Sequence, residues 1–316
     1  EMMNIPLNTA STRAETLVKL PENVSGFDTN GGEGAYRYQW YPAKGETATL
    51  MMEDNWPEMG DYDFNDFVIW YHAQAIFFDG GNGSKDSYDA DGVEFEITFR
   101  AMGGYLPYRL GLQLDQTSAR YIDEVIEING NNLVKMELQN PGEDAPAIFI
   151  FTGTDQLRKQ NNGGTFYNTE ADHQIAANDL VTIKYRLKMN CFNDKEKTKA
   201  LWATATSENQ NFFLQKEKNG GREIHLRGYE PTAYYSDSYA GEAGNNMRSD
   251  IKYCSTDNFV WGIKVPVKLA HPREKTDIMK VYGKFRSWIT NPNLSLDSPD
   301  FNENWYKYLD SSQAIK

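Results

Sequence analysis

The chain has 316 residues, 40% of them hydrophobic and 24% charged, a balance typical of a globular protein with a sizeable core. Its formal net charge of −13 argues against a phosphate-binding surface, so we expect no nucleic-acid partner. No run approaches the roughly 18 apolar residues of a membrane-spanning helix, so we expect no membrane span in this chain. Aromatic residues make up 13%, which favours β structure because their rings pack well on pleated surfaces.

The opening of the chain has no clear hydrophobic period. Residues 1–30 are predicted to be an N-terminal arm or linker remnant, and residues 31–316 are predicted to form a β domain. A long polar segment at 153–179 marks the place where two packed halves of that domain would divide. The chain begins with Glu1 and lacks the basic start and apolar core of a signal peptide. We therefore expect a trimmed chain from which a signal segment is absent.

Alternation of apolar and polar residues predicts antiparallel strands along most of the domain. In the long segment 67–77, Phe67 and Ile69 begin one apolar face. The segment 93–100 alternates as clearly and places Arg100 on its wet face. The predicted strands are residues 46–52, 67–77, 93–100, 108–115, 121–128, 133–138, 146–152, 181–189, 211–215, 222–226 and 259–265.

One helix is predicted late in the chain, over residues 272–289. Apolar residues recur there at helical spacing, and Pro272 suits the first turn. Because Tyr282, Phe285 and Trp288 lie on its apolar face, we expect the helix to pack on the strands. Many strands and one helix predict a mostly β fold, an antiparallel β-sandwich or jelly-roll-like domain with a C-terminal helix packed on it.

Acidic side chains collect at residues 53–66, immediately before the predicted strand 67–77. A solvated turn is one explanation, since Asp and Asn bond readily to local backbone. A second is a calcium site, because Ca²⁺ takes about six to eight oxygen ligands, often from one loop. A third is a catalytic carboxylate pair like that of glycoside hydrolases. The candidate metal ligands are Glu53, Asp54, Asp61, Asp63, Asn65 and Asp66.

The spacing of Asp61, Asp63 and Asn65 matches the start of an EF-hand loop, but the match ends there. Asp66 stands where that loop needs glycine, and the segment leads into a strand. An extended chain would place Asp66 opposite the other three side chains, so the turn must curl if all are to meet one ion. Calcium is favoured over magnesium because the candidate ligands are many and all oxygen.

The same stretch, MMEDNWPEMGDYDFND, resembles the hallmark of the LruC-domain family, F-E-D-x-x-P-x-x-G-D-x-D-(F/Y)-N-D. The matching residues are Glu53, Asp54, Pro57, Gly60, Asp61, Asp63, Phe64, Asn65 and Asp66, with Met52 in place of the usual Phe. Further similar motifs follow in the family's order: REIHLRGYEPT at 222–232, WGIKVP at 261–266 and NWY at 304–306. The stretch NQNFFLQ lacks a proline that the family usually has, so the local turn there is expected to differ.

The resemblance implies a secreted or lipid-anchored protein of the Gram-negative cell envelope, and it implies no established activity. Related secreted β-domains with this motif are thought to bind calcium. The sequence has no catalytic motif of the nucleophile-elbow, zinc-protease or nucleotide-binding kind. We therefore expect a non-enzymatic, calcium-stabilised envelope module for adhesion or surface assembly, with a surface glycan or an envelope protein as partner. The alternatives are a carbohydrate-binding module and, less favoured, a glycoside hydrolase.

Other candidate groups are weaker. Glu223 and His225 share one face of a predicted strand, and a hydrogen-bonded structural pair is favoured there over an acid–base pair. Cys191 and Cys254 are equally compatible with one disulfide and with two buried thiols. A second oxygen-rich stretch is interpreted as a plain turn; it contains Asp79, Asn82, Asp86, Asp89 and Asp91. Aromatic residues that could stack on sugars crowd the acidic stretch; these are Trp40, Tyr41, Trp56, Tyr62 and Trp70.

Overall fold

The computed structural model of the chain describes residues 28–29, 35–79, 88, 90–139, 141–216, 221–235, 246–290 and 305–316. Most of the predicted arm and three members of the second oxygen-rich stretch, Asn82, Asp86 and Asp89, lie outside these residues. The described chain is mostly β, and its strands pair antiparallel, which confirms the predicted fold class. No helix in the described part is both long and apolar enough to cross a membrane.

The larger sheet forms one layer of a β-sandwich. Its described strands, numbered in chain order, are β1 (Asp28–Thr29), β2 (Ala35–Tyr41), β3 (Ala48–Met52), β4 (Phe67–Asp79), β5 (Gly92–Ala101), β7 (Glu124–Asn129), β10 (Thr182–Lys188) and β13 (Gly262–Val265). The order across the sheet is β1-β2-β4-β5-β10-β7. One edge of the long strand β4 is shared, because β3 pairs with its first half and β2 with its second. Strand β13 extends the sheet beyond β3.

The smaller sheet forms the second layer. Its strands are β6 (Tyr108–Ser118), β8 (Lys135–Gln139), β9 (Pro146–Thr152), β11 (Gln210–Lys216) and β12 (Glu223–His225), in the order β12-β11-β6-β9-β8. A separate two-stranded pair joins β14 (His271–Pro272) to β15 (Ala314–Ile315). The short helices are α1 (Thr154–Arg158), α2 (Lys195–Thr204), α3 (Ile278–Val281) and α4 (Phe285–Ile289).

The main apolar core lies between the two sheets. Alternation along each strand puts one set of side chains inside, among them Ile69, Phe95, Leu112 and Phe149. Tyr71 of β4 ties the layers together: its ring centroid lies 4.9 Å from that of Phe212, and its hydroxyl donates to Gln210 Oε1 at 2.9 Å. Helix α2 lies against β4 and β6, with Asp194 accepting a capping bond from Lys197 N.

A second apolar core lies on the far side of β3, β4 and β5. There Met51 and Val68 share a cluster with Phe285, Trp288 and Trp305, all of them buried. The Trp288 and Trp305 rings stack with centroids 4.8 Å apart. The predicted packing of the C-terminal helical segment on the sheet is therefore confirmed, and the segment is integral to the fold.

The continuous helix predicted over 272–289 is wrong. Pro272 belongs to β14, and α3 begins only after Asp277, whose side chain caps it. Tyr282 then adopts an extended conformation and bridges to Leu309, which separates α3 from α4. Backbone pairing with the C-terminal residues replaces the helical bonds there, so helical spacing of apolar side chains did not suffice to predict one helix.

Three further features of the structure were missed, wrongly predicted or left open by the sequence. Strand β2 and helix α2 were not predicted. Arg100 was predicted on a wet face but is 0% exposed, because Asn168 and His271 lie over this end of β5. Cys191 and Cys254 are free, buried thiols, which settles the open question of a disulfide.

Candidate metal centre

The acidic loop, defined as residues 53–66, joins β3 to β4. Gly60, Tyr62 and Phe64 have φ angles of 62°, 56° and 53°, so alternate residues of the loop are left-handed. This conformation is rare for aromatic residues and costs about 1–3 kcal/mol each. The alternation curls the chain, as the calcium hypothesis requires.

The curl sorts the side chains of the acidic loop into two environments. Tyr62 and Phe64 enter the second core, where their ring centroids lie 6.3 and 5.7 Å from that of Phe285. Asp61 and Asp63 instead join Glu53 in a carboxylate cluster. Burial of the two aromatic rings thus holds the strained backbone and fixes the direction of the acids between them.

Oxygen atoms of Glu53, Asp61 and Asp63 lie within 4.8 Å of one another. Because Ca²⁺–oxygen distances are 2.3–2.6 Å, two oxygens on opposite sides of one ion lie about 4.6–5.2 Å apart. The three carboxylates could therefore hold a single calcium ion. Glu53 and Asp63 are buried, whereas Asp61 is exposed, so the cluster opens to solvent through Asp61.

Hydrogen bonds hold only part of this cluster. Glu53 is 0% exposed, and its Oε1 accepts a short bond from Phe64 N, but its Oε2 is buried without a hydrogen-bond partner among the described residues. Asp63 accepts from Asn65 N at 3.1 Å and from Lys275 N at 2.8 Å. A buried acceptor without a donor is costly, and Glu53 Oε2 is therefore the atom that most needs a ligand.

Two more of the predicted ligands lie beside the three-carboxylate cluster. Asp66 Oδ2 accepts from Asp54 N at 2.8 Å, and Asp54 Oδ2 accepts from Leu106 N at 3.3 Å. A Cβ at Gly104 would lie 2.0 Å from Asp54 Oδ2 and 3.2 Å from Asp66 Oδ1. A side chain at position 104 would therefore force the Asp54 carboxylate to move.

The side chain of Asn65 is not oriented as its predicted role of metal ligand requires. Its Nδ2 donates to Asp63 Oδ2 at 2.7 Å, so the amide orients that carboxylate. Its Oδ1 is buried without a partner and faces Gly103, where a Cβ would lie 2.0 Å away. The contacts of Gly103, Gly104 and Lys275 could not be predicted, because these residues are distant in sequence and carry no motif.

Burial governs the electrostatics of the cluster. It raises the pKa of Asp63 to about 8, and the negative charge of Asp61 adds to the effect. Burial, then the charges of Asp66 and Asp63, raises the pKa of Glu53 well above its usual value, and the pKa of Asp66 is raised similarly by burial and Asp54. The charges acting on Glu53 are those of other carboxylates, so a bound cation would relieve both burial and repulsion.

Glu223 and His225 form the contrasting case. Glu223 accepts from Gln215 Nε2 at 3.2 Å and from the backbone and hydroxyl of Thr232 at 2.9 and 2.6 Å. Its Oε2 lies 3.0 Å from His225 Nε2, and His225 Nδ1 lies 2.7 Å from Asn211 Oδ1. Burial opposes ionisation, but His225 and Thr232 hold the pKa of Glu223 below its usual value. Both side chains are 0% exposed, which is the arrangement of a structural pair.

The aromatic residues near the acidic loop are mostly core. Tyr41, Trp56 and Tyr62 are buried and offer no face to a sugar, while Trp40 and Trp70 are partly exposed. Tyr105 is 79% exposed and was not predicted. Asp91 of the second oxygen-rich stretch is buried and accepts from two backbone amides, as a structural turn residue does.

The protein is thus an antiparallel β-sandwich that has a C-terminal helical segment and a loop of largely buried carboxylates. The model of a domain of unknown function, DUF4842, matches residues 90–306, so the chain belongs to the DUF4842 family. The acidic loop precedes the matched residues. No curated protein matches the chain.

The fold is also similar to a crystal structure described as that of a "Putative lipoprotein" from Bacteroides ovatus. The TM-score is 0.68 at 22% sequence identity, and the alignment covers 94% of this chain and 80% of the other. At this identity the likeness establishes the fold alone.

Proposed function

We propose that this chain is a non-enzymatic β-sandwich module of the bacterial cell envelope, stabilised by calcium and serving adhesion or surface assembly. Glu53, Asp61 and Asp63 are the proposed core of the calcium site, and Asp54 and Asp66 are proposed as further ligands. Asn65 orients Asp63 through its amide nitrogen, and its Oδ1 faces Gly103. The cation would fix the acidic loop and, through it, the start of β4.

The observation that carries the proposal is Glu53 Oε2. This atom is buried near two other carboxylates, and no residue in the described ranges donates a hydrogen bond to it. Protonation of Glu53 would remove its charge, but only a cation could bind all three carboxylates at once. Calcium suits the cluster better than magnesium, because the candidate ligands are many and all oxygen, which matches its larger and less regular coordination shell.

The test is a thermal melt of the full chain in calcium and in EGTA, with calorimetric titration of calcium into the chelated protein. A metal that binds only the folded state stabilises it by about 2.7 kcal/mol at a hundredfold excess over its dissociation constant. We expect a higher melting temperature in calcium and saturable binding. Asp63→Ala is expected to remove both effects.

Asp144→Asn is the matched control, because it removes an exposed carboxylate that pairs with Arg120 on the surface. This variant is expected to keep the full response to calcium. Superimposable melts of the wild type in calcium and EGTA would show that the cluster is a hydrogen-bonded turn that caps backbone amides.

Two similarities support the envelope setting. The motifs of the acidic loop, of 222–232 and of 261–266 resemble the LruC-domain family, whose members are secreted or lipid-anchored. The structural neighbour is itself described as a lipoprotein. A surface glycan or another envelope protein is the proposed partner, and fractionation of the native cells tests the location.

Carbohydrate binding is the second candidate, and Tyr105 favours it. Arg158 Nη1 donates to Gly104 O and to Leu106 O, at 2.8 Å each, so the backbone is clamped on both sides of Tyr105. A rigid, exposed ring is a suitable platform for stacking on a sugar. A glycan array with the wild type and Tyr105→Ala tests this: binding lost in the variant supports it, and an array without binding removes it.

A further inference from the structure

Arg100, on the outer face of β5, is a buried cation whose guanidinium is only partly satisfied. Its side chain is 0% exposed, and Nε and Nη2 have no hydrogen-bond partner among the residues that the structure describes. The guanidinium lies 3.8 Å from the ring centroid of Trp70. A cation–π contact leaves the in-plane N–H groups free, and these are the groups that ordinarily bind carboxylates and other anions.

The charge of Arg100 has no carboxylate partner within the described part of the chain. Burial lowers its pKa to about 10, so the group stays cationic at neutral pH. The side chain that acts on it electrostatically is Tyr167, whose own pKa burial raises to about 12, so that it is neutral. A buried charge without a counter-charge is among the most costly arrangements in a protein interior.

The surroundings of Arg100 are basic. Lys268 is exposed, and its Nζ also lies 3.8 Å from the Trp70 centroid, so it must cover the opposite face of the ring. His271 is 0% exposed; its Nε2 contacts Asn168 O at 2.7 Å, and its Nδ1 has no partner. Burial and the nearby charge of Arg100 lower the pKa of His271 to about 3. At neutral pH His271 is therefore uncharged, and Arg100 and Lys268 are the two cations beside Trp70.

We propose that the Nε–Nη2 edge of Arg100 binds a small monovalent anion of the size of chloride, beside Trp70 and His271. Two parallel N–H donors on one edge of the guanidinium are suited to bind a single anion. Because the site is completely buried, the ligand is restricted to one or a few atoms. Lys268, at the exposed face of Trp70, provides the positive potential that attracts an anion to the site. The proposed calcium centre is formed by different residues.

A water molecule is the competing occupant, since it can accept from Arg100 and donate to neutral His271 Nδ1. Water fills the hydrogen bonds but leaves the charge unpaired. Crystals of the wild-type chain soaked in sodium bromide separate the two, because bromide scatters anomalously. We expect an anomalous peak within hydrogen-bond distance of Arg100 Nε and Nη2.

Thermal melts provide the solution test, with sodium chloride compared with sodium gluconate at equal ionic strength. Gluconate is too large for the site. We expect the melting temperature of the wild type to rise by about 2–4 °C for each tenfold increase in chloride above its dissociation constant. Arg100→Met is expected to lose this response, and Arg120→Met, which removes an exposed surface cation, is expected to keep it.

Ordered water at Arg100 in the bromide-soaked crystal overturns the proposal. Bromide peaks confined to surface lysines also overturn it, since they mark an adventitious ion only. An equal chloride response in the wild type and Arg100→Met has the same consequence. The bromide experiment stands even if Arg100→Met does not fold, because it uses the wild-type chain.

Discussion

The acidic loop and the Glu223–His225 pair both bury a glutamate completely, yet their electrostatics are opposite. Burial and like charges raise the pKa of Glu53, whereas hydrogen bonds and His225 hold the pKa of Glu223 down. Glu223 receives donors on both oxygens from within the fold. Glu53 receives one, and Oε2 has none. Burial alone therefore does not distinguish the two glutamates; the number of hydrogen-bond donors that the fold supplies to each carboxylate does.

The two regions also differ in what supports them. The acidic loop depends on the C-terminal segment, since Lys275 N donates to Asp63 and Ile278 N donates to Tyr62 O at 2.9 Å. The Glu223 site is built from neighbouring strands of the smaller sheet. Perturbations of the C-terminal segment, of each glutamate and of pH should therefore separate the two regions.

The largest effect is expected from cutting the chain before Pro272. The cut removes Phe285, Trp288 and Trp305 from the second core, together with the partners of the acidic loop. Losing several large buried rings at about 3–5 kcal/mol each approaches the whole stability of a domain. We expect an aggregated or unfolded product by gel filtration and circular dichroism. A truncated protein that melts cooperatively at an unchanged temperature would contradict this.

Glu223→Ala is expected to be the most destabilising single substitution of the two regions. It leaves His225 and the donors of Thr232 buried without their acceptor, at a cost of about 3–5 kcal/mol. Urea unfolding measures the loss, which should be equal in calcium and in EGTA. A loss that appears only in EGTA would mean that the two regions are coupled.

The matched substitutions Glu53→Gln and Glu223→Gln sharpen the comparison, because each removes one charge and keeps the shape. In EGTA, Glu53→Gln should unfold at the same urea concentration as the wild type or a higher one, since it removes a repelled, buried charge. In calcium it should lack the stabilisation of about 2.7 kcal/mol expected at a hundredfold excess over the dissociation constant. Glu223→Gln should be destabilised equally in both buffers. Equal behaviour of the two variants would refute the distinction.

The smallest effect concerns acid. Because the folded-state pKa of Glu223 lies below the ordinary 4.5, its stabilisation is complete above pH 4.5 and is lost as the pH falls through the folded value. The wild type should therefore lose more stability than Glu223→Gln between pH 5 and pH 3, in urea unfolding at about one-unit steps. Parallel acid limbs for the two proteins would show that Glu223 does not contribute.

Much of the fold could be predicted because strands with one solvent-exposed face show a regular alternation of apolar and polar residues. The segment over 146–152 coincides with β9, and 67–77 lies within β4. The prediction of one helix over 272–289 was wrong because the spacing of apolar residues carries no information about backbone pairing between Tyr282 and Leu309. Strand β2 carried an alternating aromatic signal, Tyr36, Tyr38 and Trp40, that its glycine-rich neighbourhood obscured.

The candidate site likewise has residues that could be predicted from the sequence and residues that could not. The acids of the 53–66 stretch could be found from sequence, since they are contiguous and their chemistry is shared. The glycine contacts and the donor at Lys275 come from distant segments and could not. Arg100 was placed on a wet face because period two distinguishes the faces of a strand but cannot tell what covers each one.

The alternating handedness of residues 60, 62 and 64 has a consequence for how this stretch can change in evolution. The side chains of Tyr62 and Phe64 enter an apolar core, and those of Asp61 and Asp63 join Glu53 in the carboxylate cluster. Removing or adding one residue would exchange the two sets, sending Tyr62 and Phe64 toward the carboxylates and Asp61 and Asp63 into hydrocarbon. Related chains that keep this architecture should therefore vary in composition along the loop while conserving the number of residues between Glu53 and Phe67.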